Sequence, residues 1–127
     1  MQEIWKSIIG YENLYEVSNL GNVRSLDKTV IDKLGRKLIF HSTLLSQRKT
    51  NKNYLVVNLS KDGSFKNYSV HRLVAMAFVE NPENKPCVDH VNGNKQDNRA
   101  KNLRWVTFKE NSNNPITIEK MKISKKS

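Results

Sequence analysis

The stretch VDHVNGNKQDNRAKNLRWVTFKEN, Val88 to Asn111, constrains this chain most. CVDHV is an apolar run of strand length, NGNKQDNRAKN is a turn-rich loop, and LRWV is a second such run. A helix then starts at TFKE. There the Thr107 hydroxyl can accept from the Glu110 backbone N–H while the Glu110 carboxylate reaches back to the start of the helix, the reciprocal capping box. Strand, loop, strand and helix fold back on one another, which returns Asn111, in the first helical turn, to the neighbourhood of the Asp89-His90 pair.

Those side chains suit one kind of chemistry. Asp89 offers a carboxylate and Asn111 an amide carbonyl, and water and phosphate would complete an oxygen-rich shell for Mg²⁺ or Mn²⁺. His90 is left as a base, since an imidazole with an unperturbed pKa of about 6.5 takes a proton from water near neutral pH. A metal would stabilise the phosphoryl oxygen and the leaving 3′ oxygen, so the set fits phosphodiester hydrolysis. Neighbours on a regular strand face opposite sides. Either the strand is bulged at Asp89-His90, or base and metal flank the phosphate.

Competing readings are weaker. A single cysteine, Cys87, excludes an internal disulfide and a zinc site of paired cysteines. Val91 at the third position of DHVNGNKQDN excludes a calcium loop. His71 reads as a packed or capping histidine and His41 as a surface one. Asn92, Asn94 and Asn98 read as turn formers with no chemical role. Trp5, Tyr15, Trp105 and Phe108 read as core.

The rest of the chain is an α+β pattern. LYEVSN and VRSL, joined through Gly21-Asn22, make a short hairpin, and YLVVNLS and SFKNYSV, joined through Lys61-Asp62-Gly63, make another. In HRLVAMAFV the residues Leu73, Val74, Ala77 and Phe78 fall on one helical face, with Ser69 as a candidate cap, and Pro82 and Pro86 bracket a loop. Pro115 is expected to end the final helix. With 22 basic and 12 acidic residues among 127, the formal net charge of +10 favours a polyanion, nucleic acid first. No apolar run approaches the roughly 20 residues that span a bilayer, and MQEIWKSIIGYENLYEV lacks the features of a signal peptide, so a cytoplasmic location is expected.

With Asp89, His90, Asn102 and Asn111 in place, the stretch resembles the HNH, or ββα-metal, endonuclease motif in its Asn-ended variant. EIWKSIIGYENLYEVSNLGNVRSL is similar to the N-terminal motif that precedes HNH domains in phage and intron-encoded homing endonucleases, and HRLVAMAFVENP fits their linker helix. The resemblance covers residues 3 to about 114. It implies that Asp89 and Asn111 ligate one Mg²⁺ or Mn²⁺ per site, that His90 is the general base, and that Asn102 holds the loop and the histidine in place. It also implies a strand-rich DNA-binding region over 1–70, a linker helix and nuclease unit over 71–114, and a basic tail over 115–127. Double-stranded DNA is the expected partner, with Arg24, Arg48, Lys49, Lys52, Arg72 and Arg104 as candidates for phosphate contacts. One site per chain implies a monomer that nicks one strand; a double-strand cut would need a dimer or two events. The alternatives are a non-catalytic, regulatory DNA-binding protein that retains the HNH fold, and an RNA-directed protein.

Overall fold

The structure, a computed structural model, describes residues 2–113. Strands β1 (Trp5–Ser7), β2 (Tyr15–Ser18) and β3 (Val23–Ser25) form an antiparallel sheet in that order. Its β2–β3 turn closes through Ser18 N–H to the Asn22 carbonyl and Gly21 N–H to the Ser18 carbonyl. Gly21 there has φ +91°, a left-handed conformation that a side chain disfavours. Next come a separate hairpin of β4 (Lys28–Ile31) and β5 (Lys37–Phe40), then a second antiparallel sheet of β6 (Arg48–Lys49), β7 (Leu55–Lys61) and β8 (Ser64–Ser69). Asp62 and Gly63, both at positive φ, turn β7 into β8. Such a turn matches the twist of the strands that it joins.

Helix α1 (Val70–Phe78) follows β8 without a linker, and the final unit is β9 (Cys87–His90), a 3-10 turn (Ala100–Asn102), β10 (Leu103–Val106) and α2 (Phe108–Asn113). Ser69 stands at the cap position of α1, but its hydroxyl makes no capping bond. It is still paired with Val56 in the β7–β8 ladder, so the strand runs directly into the helix. The strand-strand-helix order expected for the C-terminal unit is present, and the mixed α+β class holds.

One core joins both halves. Ile8, Val17 and Val23 from the first sheet and Val57 and Leu59 from the second bury against Val70, Leu73, Val74 and Ala75 of α1, and Leu103 of β10 closes the cluster. α1 packs on β2, β7 and β8 as well as on β9 and β10. A boundary at residue 70 is therefore a boundary of sequence, not of packing.

Four strands escape the sequence reading. β1 and β6 are very short, and β4–β5 leaves Val30, Ile31, Leu38, Ile39 and Phe40 exposed, so no alternation of buried and exposed residues marks it. Phe108, the first residue of α2, is 71% exposed and is not core. Trp105 does pack against the core, and its indole N–H donates to the Val79 carbonyl. Among the described residues, no helix is long and apolar enough to cross a membrane. The expectations for Pro115 and for the tail fall outside the described residues.

Because one cluster contains Leu59 and Leu103, Leu59→Ala and Leu103→Ala should each cost about 2–5 kcal/mol. Both should shift a single cooperative urea transition. Two separate transitions, one moved by each substitution, would contradict a shared core.

Candidate active site

β9 and β10 pair in unbroken register, Leu103 with His90, Arg104 with Asp89, Trp105 with Val88 and Val106 with Cys87. No bulge interrupts them. Asp89 and His90 therefore leave opposite faces of the ribbon, and each is buried, at 8% and 5% exposure.

On one face, the His90 ring sits in a pocket built from three elements. Its Nε2 lies 2.7 Å from Asn98 Oδ1. The His71 ring, from α1, lies 5.0 Å away at 50°, and the Tyr54 ring, from the β6–β7 turn, lies 6.2 Å away at 35°. Tyr54 and His71 stack on each other at 5.1 Å and 26°. An amide oxygen only accepts, so the imidazole carries its proton on Nε2 and keeps the lone pair on Nδ1. Burial pushes the His90 pKa below the ordinary imidazole value, and the Asn98 hydrogen bond and the charges of Asp89 and Asp97 oppose that shift only in part. Burial, then the neighbouring His90 and Arg72, lower His71 to about 4. Both shifts favour the neutral ring.

Asn98, which reads as a turn former, is buried and holds this ring. Nothing in the sequence separates it from Asn92 or Asn94. Only the fold of the loop turns it inward. Asn102 bonds the loop itself: its Nδ2 donates to Asn92 Oδ1 at 3.0 Å and to the Asp97 carbonyl at 2.8 Å, and its Oδ1 accepts from the Asn92 N–H at 3.1 Å. These bonds brace the loop, while the histidine ring is bonded by Asn98. Asp97 completes the frame, accepting from Arg99 Nε and Nη2 at 2.7 Å each and from Asn92 Nδ2 at 3.0 Å. Those bonds, Arg99's foremost, lower its pKa to about 2. His71, which reads as packed, is packed, against the Tyr54 and His90 rings.

On the other face, Asp89 Oδ2 accepts from Arg104 Nε at 3.0 Å and Nη2 at 2.9 Å. α2 packs against β9 and β10. Its start is fixed by the capping box, with Thr107 N–H to Glu110 Oε1 and Glu110 N–H to Thr107 Oγ1 both at 3.0 Å. Glu110 also pairs with Lys85 at 3.0 Å. The Asn111 N–H donates to the Thr107 carbonyl at 2.9 Å, which places Asn111 at the end of the first turn of a helix that touches the Asp89 strand. A buried carboxylate and an amide carbonyl are hard oxygen donors, which fit Mg²⁺ or Mn²⁺ better than a softer ion. No group of three or more His, Cys, Asp and Glu able to hold a metal occurs among the described residues. An ion here would keep several water or phosphate oxygens, as Mg²⁺ commonly does.

The six basic candidates divide. Arg48, Lys49 and Lys52 are exposed around the β6–β7 turn. Arg24 pairs with Glu16 at 2.6 Å and lies over Trp5, Arg72 donates to the Pro86 carbonyl and lies over Trp105, and Arg104 holds Asp89.

Comparison with known proteins adds an independent line. The NUMOD4 motif matches residues 3–60, and the HNH endonuclease family matches residues 68–113. The DNA endonuclease I-HmuI of Bacillus phage SP01 is 40% identical over 95% of this chain and 62% of its own length. An uncharacterised HNH endonuclease of Acanthamoeba polyphaga mimivirus is 43% identical over 93% of this chain and 28% of its own length. The chain thus spans less than two thirds of either relative. A solved structure of DNA binding and cleavage by the HNH homing endonuclease I-HmuI superposes with a TM-score of 0.69 at 38% identity, covering 96% of this chain and 66% of that one.

The loop frame has a pH signature. A carboxyl held at about 2 in the fold against 3.8 outside it stabilises the protein above about pH 4, and that stability is lost as pH falls towards 2. Asp97→Asn should flatten this acid limb in denaturation measured across that range. An unchanged limb would show that the Asp97–Arg99 pair contributes nothing.

Proposed function

The chain belongs to the HNH endonuclease family, and on that footing we propose that it hydrolyses phosphodiester bonds of double-stranded DNA with Mg²⁺ or Mn²⁺, at one site per chain. The observation that carries this reading is the His90 ring, buried, held through Nε2 by Asn98 and left with a basic Nδ1. Nδ1 takes the proton of the attacking water as its oxygen bonds to phosphorus and the bond to the 3′ oxygen breaks. Asp89 and Asn111 would hold the ion, and Arg104 fixes the Asp89 carboxylate through Oδ2. Bound there, a divalent ion supplies electrostatic stabilisation of the phosphoryl and leaving oxygens. The opposite-face placement of Asp89 and His90 suits a phosphate flanked by base and metal.

The 1–70 region serves as the DNA-binding part in this reading, with Arg48, Lys49 and Lys52 as exposed cations around the β6–β7 turn that carries Tyr54. Residues 71–114 form the nuclease unit. A monomer with one site nicks one strand. Arg24, Arg72 and Arg104 contribute less to DNA contact than their charge suggests, because each already has a partner within the protein.

Conversion of supercoiled plasmid to open circle in Mg²⁺ or Mn²⁺ tests the proposal. His90→Ala should lower the rate by about 10²–10⁴-fold, the usual contribution of a positioned base. Asn111→Ala should lower it and raise the metal concentration required. Equal activity of wild type and both variants would sink the assignment. Binding without cleavage in every metal would instead favour a non-catalytic DNA-binding protein.

A further inference from the structure

The loop that presents Asn98 to His90 is not held by the nuclease unit alone. The Asn19 carbonyl, in the β2–β3 turn, accepts from the Ala100 N–H at 2.8 Å. Gly21, in the same turn, lies flush against Asn98: a Cβ there would meet Asn98 Cβ and its carbonyl oxygen at 3.2 Å. The turn is itself pinned, since Gln47 Nε2 donates to the Gly21 carbonyl at 2.8 Å. At the other end of the loop, Lys95 Nζ donates to the Lys52 carbonyl at 3.1 Å and sits 4.6 Å from the Tyr54 ring centre. Tyr54 in turn stacks on His71 and faces His90.

We propose that the N-terminal segment is a positioning device for the general base: the Asn19–Gly21 turn sets the Asn98 loop, and Tyr54 sets the ring stack, so that His90 presents Nδ1 outward. The proposal rests on the reading of His90 as the base. Gly21 and Tyr54 are positioning residues, acting through Asn98 and His71 and not on the substrate. Gly is required at 21 for two independent reasons, its φ of +91° and the approach of the Asn98 backbone. A displaced Asn98 releases Nε2, and the imidazole then populates both neutral tautomers, one of which puts the proton on the nitrogen that must accept.

The test compares Gly21→Ala with Gly10→Ala in the full chain. Gly10 has a similar φ of +88° but no atom within 4 Å of its would-be Cβ, so it carries the backbone strain without the contact. Single-turnover plasmid nicking should fall about tenfold or more in Gly21→Ala, as expected for a small misplacement of a catalytic group, with DNA affinity unchanged and Gly10→Ala near wild type. The ring-nitrogen NMR correlations of His90 should show one tautomer, Nε2–H, in wild type and Gly10→Ala, and a mixture in Gly21→Ala. Equal rates in the two glycine variants, or an unchanged tautomer in Gly21→Ala, would overturn the proposal. Should Gly21→Ala fail to fold, Tyr54→Leu and Tyr54→Phe decide: Leu should slow nicking and broaden the His90 signals at constant DNA affinity, Phe should restore both, and equal behaviour of the two would overturn it. A wild type that shows the single tautomer but cuts no DNA would remove the catalytic reading while leaving the positioning intact.

Discussion

The apolar face of α1 is the constraint on which the other elements depend. A chain with 37% hydrophobic residues has little apolar surface to bury, and the buried cluster gathers it around one nine-residue helix. Val17, Val57 and Leu59 reach that helix from the N-terminal sheets and Leu103 from the β9–β10 hairpin. Neither group would form a comparable core alone. The hydrophobic term thus holds the strand-rich segment against the C-terminal unit.

Polar groups brought along by that packing become demanding once buried. His90, Asn98, Asn102 and Asp89 are all withdrawn from water, where an unpaired group is costly. The loop answers with a frame of side-chain amides and a carboxylate, Asn92, Asn102 and Asp97 bonding one another, and with Arg104 against Asp89. Buried groups remain even so: Asn98 Nδ2 and His71 Nδ1 have no hydrogen-bond partner among the described residues. Both border the His90 ring, and functional sites are where such unsatisfied groups collect.

Much of this is legible in the sequence where local rules act alone. The Thr107–Glu110 box sets the start of α2, and the Asp62-Gly63 turn sets a hairpin, because both depend on a few adjacent residues. Asp89, His90, Asn102 and Asn111 stand out by type and spacing. What stays hidden depends on distance along the chain. Asn98 looks like its neighbours until the 3-10 turn reverses the backbone, and Tyr54 meets His90 only through the shared core. Phe108 misleads because aromatic character says nothing about which side of a helix start faces inward. β4–β5 escapes because its apolar side chains are exposed, and burial is what produces alternation.

The direct passage of β8 into α1 has a consequence for how the two parts of the chain are joined. The two family matches end at residue 60 and begin at residue 68, so their seam lies at the hairpin that delivers the chain to α1. Ser69 ends the strand and stands at the head of the helix, leaving no linker between β8 and α1. An exchange at that seam would pair α1 with sheets whose side chains did not evolve to meet it. Side chains on the two sides of that seam are therefore coupled through packing and not through a linker.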